Sequence, residues 1–561
     1  ESPRNLLIMS ILSFFLVVLA TCFFWTAACT AAAVRIRQPW LRRLVLVVGL
    51  LAPMLSLLPF VAMATVLEFI AHLEVSWFSS ILTLFIAVVI GCGWILRSGT
   101  QPHGGGWSTV PAAKWSVIGL FTLFVLSKSV AAGVILFMNQ AAITEAEFLQ
   151  LESASLMTTH LPPVVSDADN AAELYRAAAQ LIEDDKDFVS APLDDPKDPA
   201  VIAILERHAP TLDILRRATA RPTCRFTRDY SRPSMDMVLP EIQFLRTAAR
   251  LFAVSARISA AQGKADQALS DIVCISRMSQ HASSEPLLIS GLVGISIDSI
   301  AIDSLIAVLP TLKKQDLGLL KEDDLQDFLR TPLSLQRNLY GEEAFGLSIF
   351  SQFGSGQLNA GELAFVLSHE ASIPETFSQS TAFLSPTIMA YRIFLFHFDL
   401  AAYKNYLHTL QNIAAQQGPY ARKKTVLEKI EKDLGVHRYG ILTSLIAPAV
   451  GKAIERLARA TMRHQAALVA VAATCERLTN DTLPEKSDDL VPEQLPCIPR
   501  DAFDPEHTLI YSLRPPGAAI YSVGPNGKDD GGPTRPNDKT QKKTDDVGVF
   551  LLIQPSLPAD E

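Results

Sequence analysis

The stretch Pro240-Glu241-Ile242 through Gln262, then Gly263-Lys264-Ala265-Asp266-Gln267-Ala268 and on past Ile272 to His281, decides the fold of most of the chain. Pro240 suits the first turn of a helix, where no backbone N–H is required. The pattern predicts one helix over Glu241–Gln262, a stop at Gly263 and a second helix from Ala265 to about His281. Pro286 opens a third, which runs to Leu309-Pro310. Three consecutive helices with short turns read as helical hairpins.

The same reading extends outward. Ser166-Asp167-Ala168-Asp169 supplies capping side chains before a helix that runs from Asn170-Ala171-Ala172-Glu173-Leu174-Tyr175 to about Ile182. Further helices are expected at Leu333–Phe353, Pro386–Gln416 and Arg438–Leu478, with loops near Gly354–Gly361 and Glu370–Thr381. The apolar run Pro386–Leu400 contains Arg392, His397 and Asp399, which fits a buried core helix better than a membrane span. Near the end the period changes from helix to strand. Thr508–Leu513, a Pro515-Pro516-Gly517 turn and Ala518–Val523 predict a hairpin, and Val547–Ile553 a third strand.

Toward the N-terminus the chain turns apolar. Four runs, Leu6–Val34, Leu44–Leu67, Ser79–Leu96 and Trp115–Met138, are near or above the ~20 residues that cross a bilayer as a helix. Most of the six tryptophans lie at or near their ends, where an amphipathic ring favours the headgroup level. Arg35, Arg37, Arg42 and Arg43 crowd the first connecting loop, and Arg97 and Lys114 bracket the third, whereas His72–Ser76 has no cation. The positive-inside rule then places the first and third loops in the cytoplasm and everything after Met138 outside. Lys128 inside the fourth run is expected to snorkel or to meet backbone carbonyls rather than to relay protons.

Composition agrees. The chain has 561 residues, 49% of them hydrophobic, and a mean hydropathy of +0.25. Residues 1–138 carry eight Lys and Arg against three acids, and the remainder 41 against 54. That acidic remainder excludes nucleic acid as the expected partner, because binding it needs clustered cations. Of the seven cysteines, Cys475 and Cys497 are the local pair to test first for a bridge, with buried free thiols as the other reading. The expected fold class is therefore mainly α. A four-helix transmembrane region (1–138) precedes an α-helical extracytoplasmic domain (139–437). A small C-terminal α+β module (438–561) follows, with a long helix and a three-stranded antiparallel sheet.

Catalytic signatures are not seen in the sequence. His369-Glu370 lacks the second histidine of a zinc protease motif, no G-x-S-x-G or G-x-G-x-x-G stands in the right context, and Gly527-Lys528 is not a Walker loop. His397 and His408, about three turns apart on one helix, read as structural histidines. Asp184-Asp185, Asp194-Asp195 and Asp323-Asp324 read as solvated or helix N-terminal acids.

Three resemblances accompany this reading. Gly263–Ala268 with Ile272 is similar to the turn and second helix of a tetratricopeptide repeat, over one hairpin only. A long helix, Asp501-Ala502-Phe503-Asp504-Pro505, a hairpin and Tyr521-Ser522-Val523-Gly524-Pro525-Asn526-Gly527-Lys528-Asp529-Asp530-Gly531-Gly532 resemble the globular end of major type II secretion pseudopilins. That resemblance implies a calcium ion at Asp529, Asp530, Asp545 and Asp546, ligands of the hard type calcium takes. A solvated acidic turn is the other reading. No pseudopilin methylation segment precedes the long helix, and Pro533–Thr544 is a lysine-rich insertion. More broadly, Asp169–Tyr175 and Tyr521–Gly532 make residues 139–561 resemble large envelope proteins of unknown function from planctomycete-type bacteria.

The expected function is a non-enzymatic structural or interaction protein of a bacterial inner membrane, with lipid and the proteins of a larger membrane complex as partners. The alternatives are an accessory component of a pilus-like or secretion apparatus, and a membrane-bound hydrolase with an unrecognised site.

Overall fold

The computed structural model describes residues 137–183, 198–230, 240–356, 391–435, 440–534 and 544–553, apart from single positions at 332, 417 and 447, together with scattered positions from 25 to 45. The four apolar runs, the acid pairs at 184–185 and 194–195 and the expected loops within 357–390 therefore fall almost wholly outside the described residues. The chain divides into two compact units, Glu1–Ala146 with Gln352–Asp399, and Glu147–Ser351 with Leu400–Glu561.

In the first unit, Asp399 is 1% exposed and accepts a hydrogen bond of 2.8 Å from the Tyr391 hydroxyl. The Arg392 Nε donates to the Phe353 carbonyl at 2.9 Å. The two charges in this apolar stretch are thus held by protein groups.

The second unit is built on hairpins. Besides a helical run at 137–160, the helices are α1 Ala172–Glu183, α2 Pro199–Arg207, α3 Ala209–Thr219, α4 Pro240–Ala261, α5 Ala265–Ser283, α6 Leu288–Val308, α7 Asp323–Arg330, α8 Gln336–Ser355, α9 Phe396–Ala415, α10 Tyr420–Gly435, α11 Ile441–Ile446 and α12 Pro448–Asn480. Helices α4, α5 and α6 pack on one another as the core layer. Their turn is local chemistry. Gly263, at φ 75°, ends α4; its N–H reaches the Ala260 carbonyl, and the Lys264 N–H reaches back to the Ser259 carbonyl. That is a Schellman cap, and the left-handed backbone is why glycine stands there.

Among the described residues one helical stretch, Leu288–Thr311, is long and apolar enough to cross a membrane, and most of it is buried inside this core. It is apolar all round because α4, α5 and α12 cover it.

The expected helix over Arg438–Leu478 is two. Residues 441–446 form α11, and Pro448 opens α12, because proline cannot continue the preceding helix. The helix expected from Leu333 starts at Gln336, whose N–H is held by the Ser334 Oγ. Pro386–Gln416 resolves into α9 with a partly helical approach at 391–395; positions 386–390 lie outside the described residues. Helices α2, α3, α7 and α10 were not expected.

Helix α12, 33 residues or about 50 Å long, serves both parts of this unit, packing on α6, α7 and α10 and on the sheet. Three strands, β1 Ile510–Arg514, β2 Gly517–Ser522 and β3 Val547–Leu552, form the antiparallel order β1-β2-β3. The register pairs Tyr511 with Ile520, and Ile520 with Val549. The central strand is buried along its whole length.

Cys475 is buried, Cys497 is exposed, and both are free thiols, so the bridge considered from the sequence is not formed.

Candidate functional site

Two places concentrate chemistry in the second unit. The first is the loop after β2. Asp501, 2% exposed, anchors it: Oδ1 accepts from the Ser522 Oγ (2.7 Å) and the Phe503 N–H (2.8 Å), and Oδ2 from the Val523 N–H (2.9 Å). Gly532, at φ 71°, lies against the Tyr521 ring, where a Cβ would collide with the ring carbons. Arg514 covers the same ring and donates to the Gly531 carbonyl.

The four predicted carboxylates sit here, and three close the loop upon itself. Oδ2 of Asp546 accepts from the N–H groups of Asp530 (3.0 Å) and Gly532 (2.6 Å). Oδ1 of Asp529 accepts from the Gly531 N–H (2.9 Å) and the Tyr521 hydroxyl (3.1 Å). Oδ2 of Asp530 accepts from the Asn526 amide (2.8 Å) and the Asp545 N–H (3.3 Å). Asp545 faces Arg459 at 3.7 Å. Partial burial, then the charges of Asp530 and Asp529, hold the Asp546 carboxyl above the usual range, against the loop amides that lower it. Among the described residues no three His, Cys, Asp or Glu side chains meet as a set able to hold a metal ion. As arranged, three of the loop's carboxylates accept hydrogen bonds from its own amides.

The second place is a buried polar network where the strap of residues 221–230 crosses the helical core. Asn170 fixes the strap: its amide donates to the Arg225 carbonyl (3.0 Å) and its oxygen accepts from the Arg225 N–H (2.9 Å) and the Ala172 N–H. Arg228 then reaches two acids, the buried Glu285 (Oε1 at 2.6 Å through Nε) and the half-buried Glu241 (Oε2 at 2.7 Å). The Tyr230 hydroxyl also donates to Glu285 Oε1. Beneath it, the Tyr175 hydroxyl meets His281 Nδ1 at 2.8 Å and His281 Nε2 meets the Arg221 carbonyl at 3.1 Å. A carbonyl only accepts, so the neutral ring carries its proton on Nε2, and Nδ1 accepts a hydrogen bond from the tyrosine hydroxyl. Burial pushes His281 down to about 4, with Arg277 pulling the same way and the Arg221 carbonyl opposing. Burial, then Glu285 and Glu241, push the Cys224 thiol up, so it stays protonated and is a poor nucleophile.

Other buried acids are engaged in the same manner. Asp271 accepts from Ser255 (2.6 Å), Gln267 (2.9 Å) and Arg216 (3.0 Å). Asp298 on α6 meets His464 on α12 at 2.6 Å, while the Asp298 Oδ2 and His464 Nδ1 are buried without a hydrogen-bond partner. His408 is 60% exposed on its side chain and leans on the buried Glu343 at 3.2 Å, whose other oxygen takes the Gln411 amide at 2.7 Å. Asp323 and Asp324 occupy the first turn of α7, and Asp324 pairs with Arg277 at 2.7 Å.

Asn170, Tyr175 and Asp501 stand in the quoted motifs without a role, because their distant partners lie 21 to 106 positions away. Arg228, Glu241, Glu285 and His281 carried no motif. No known protein family matches the chain, and neither a curated protein nor a solved structure matches it.

Proposed function

We propose that the protein is a non-enzymatic, membrane-anchored structural or interaction component of a bacterial envelope and part of a larger membrane complex. The observation that carries this reading is how the buried ionisable side chains of the second unit are spent. Arg228, Glu241, Glu285, His281 and Asp501 bind one another, the strap or the sheet, and Asp271 is held by side chains of α3, α4 and α5. Groups committed to holding a scaffold are poor acids, bases or nucleophiles. The anchor in this proposal is the four apolar runs of residues 1–138, with the remainder in the periplasm of a multi-pass inner-membrane protein.

Isolation of the full chain in mild detergent tests the complex: stoichiometric protein partners are expected, and a lone 61.2 kDa species would remove that part of the reading. Exposed Cys497 tests the sidedness. A membrane-impermeant maleimide should label it in intact spheroplasts, and the Cys497→Ser variant should lose that label. Labelling only after the bilayer is broken would put this unit on the cytoplasmic side.

A pilus-like or secretion accessory role rests on α12 and the sheet that packs on it. Calcium belongs to that reading, as a proposal for the loop of Asp529, Asp530, Asp545 and Asp546 alone. An unchanged melting midpoint on adding calcium and then chelator would remove it. A hydrolase reading is favoured by the Gln411–Glu343–His408 relay, since a buried carboxylate that orients an exposed imidazole is a familiar general-base arrangement. Hydrolysis of ester or peptide probes that His408→Ala abolishes without unfolding would support it.

A further inference from the structure

Residues 420–463 hold ten Lys and Arg against four Asp and Glu, a surplus of six in a chain whose net charge is −8. All of these cations but Arg438, which falls outside the described residues, stand on two helices that pack together, α10 and the N-terminal half of α12. On α12, Lys452, Arg456, Arg459 and Arg463 recur at i, i+4, i+7 and i+11, which is one stripe of a helix. Its inner half is used: Arg459 pairs with Glu455 at 2.8 Å and Arg463 with Asp303 at 2.5 Å. Lys452 and Arg456 are exposed and pair with no acid among the described residues. On α10, Arg422, Lys429 and Lys432 are likewise exposed and without an acid partner among the described residues. Between Arg422 and Lys429, on the same stripe, stands Val426, 42% exposed. The opposite sides of the two helices are apolar and buried, through Leu427, Ile430, Ala453, Ile454 and Ala460.

Unpaired like charges on adjoining helices repel one another, a cost that a polyanion removes. We propose that α10 and the first half of α12 form a docking surface for an anionic phospholipid leaflet, with Arg422, Lys429, Lys432, Lys452 and Arg456 against headgroup phosphates and Val426 entering between them. This rests on the membrane-anchored reading, since tethering by residues 1–138 would keep the surface at high effective concentration beside the bilayer. A basic helix face with an apolar residue among its cations is the pattern that lies on a charged interface. Nucleic acid is the weaker partner, because the chain outside this segment carries a net −14, which would repel an extended phosphate backbone.

The test is amide hydrogen exchange of the full chain in nanodiscs of phosphatidylcholine alone and of phosphatidylcholine with phosphatidylglycerol. Exchange in 420–435 and 448–463 should slow by about tenfold in the anionic discs, with the protection lost at high salt. It should also be lost in the combined variant Arg422→Gln, Lys429→Gln, Lys432→Gln, Lys452→Gln and Arg456→Gln. Unchanged exchange in α4–α6 and β1–β3 would show that this variant still folds. Equal exchange in both discs overturns the proposal, and protection by an oligonucleotide instead of lipid assigns the surface to nucleic acid. If the chain does not enter discs at all, the membrane-span reading fails by itself. Flotation with phosphatidylglycerol vesicles but not phosphatidylcholine vesicles would then still support the surface, and flotation with neither would end it.

Discussion

Replacing Arg228 by alanine is expected to destabilise the second unit by about 3–5 kcal/mol, the cost of stranding a buried charge. Arg228 alone among the described residues bridges Glu241 and Glu285, at 2.7 and 2.6 Å, and its side chain is 9% exposed. The Glu285 Oε2 is already buried without a hydrogen-bond partner, so loss of the arginine leaves that carboxylate only the Tyr230 hydroxyl on its other oxygen. Glu241 keeps a weaker contact with Arg176 at 3.4 Å. Unfolding in denaturant, followed by helix signal, measures the loss. The combined variant Arg228→Met with Glu285→Gln should recover a large part of it, because removing both charges removes the stranded one. A single-variant loss below about 1 kcal/mol, the scale of an exposed pair, would mean that water reaches these acids.

Acid is expected to weaken the same region through His281. Its folded value, about 4, lies below the ordinary 6.5, so the folded state binds the proton less well than the unfolded chain. The stability is therefore complete above about pH 6.5 and is lost as pH falls toward 4. The size is about 3 kcal/mol, from 1.36 kcal/mol per unit. The cause is burial first, and protonation would also break the acceptor role of Nδ1 toward Tyr175. Comparing unfolding free energy at pH 7 and pH 4.5, wild type against His281→Gln, isolates this contribution from the carboxylates. The wild type should lose more than the variant; identical losses would show that His281 is not the titrating group.

Helices α4 to α6 could be read from sequence because their signals are local: Pro240 at the start, Gly263 at the cap, Pro286 before the third. The hairpin and third strand were equally legible from their alternation and the Pro515-Pro516-Gly517 turn. Helix α2 carried a legible signal that was overlooked, since the Asp198 side chain caps the Ala200 N–H ahead of Pro199. Helix α10, with five cations in sixteen residues, hid its buried side, which among its described side chains is Tyr420, Leu427 and Ile430. At the C-terminal loop the sequence placed the four aspartates together but not their targets. Whether a carboxylate faces an ion or an amide depends on the backbone path of Gly531 and Gly532, which a string of residues does not specify.

By itself, then, the sequence determined where α4 to α6 start and stop, the three strands and their turn, and an apolar first quarter distinct from the acidic remainder. These are one-dimensional properties, set by residues within a few positions of each other. Only the tertiary structure decided that Arg228 holds Glu285 across 57 positions, that His281 is buried and neutral, and that α6 is apolar because other helices wrap it. Burial and partnership are relations between distant segments, and no local pattern encodes them.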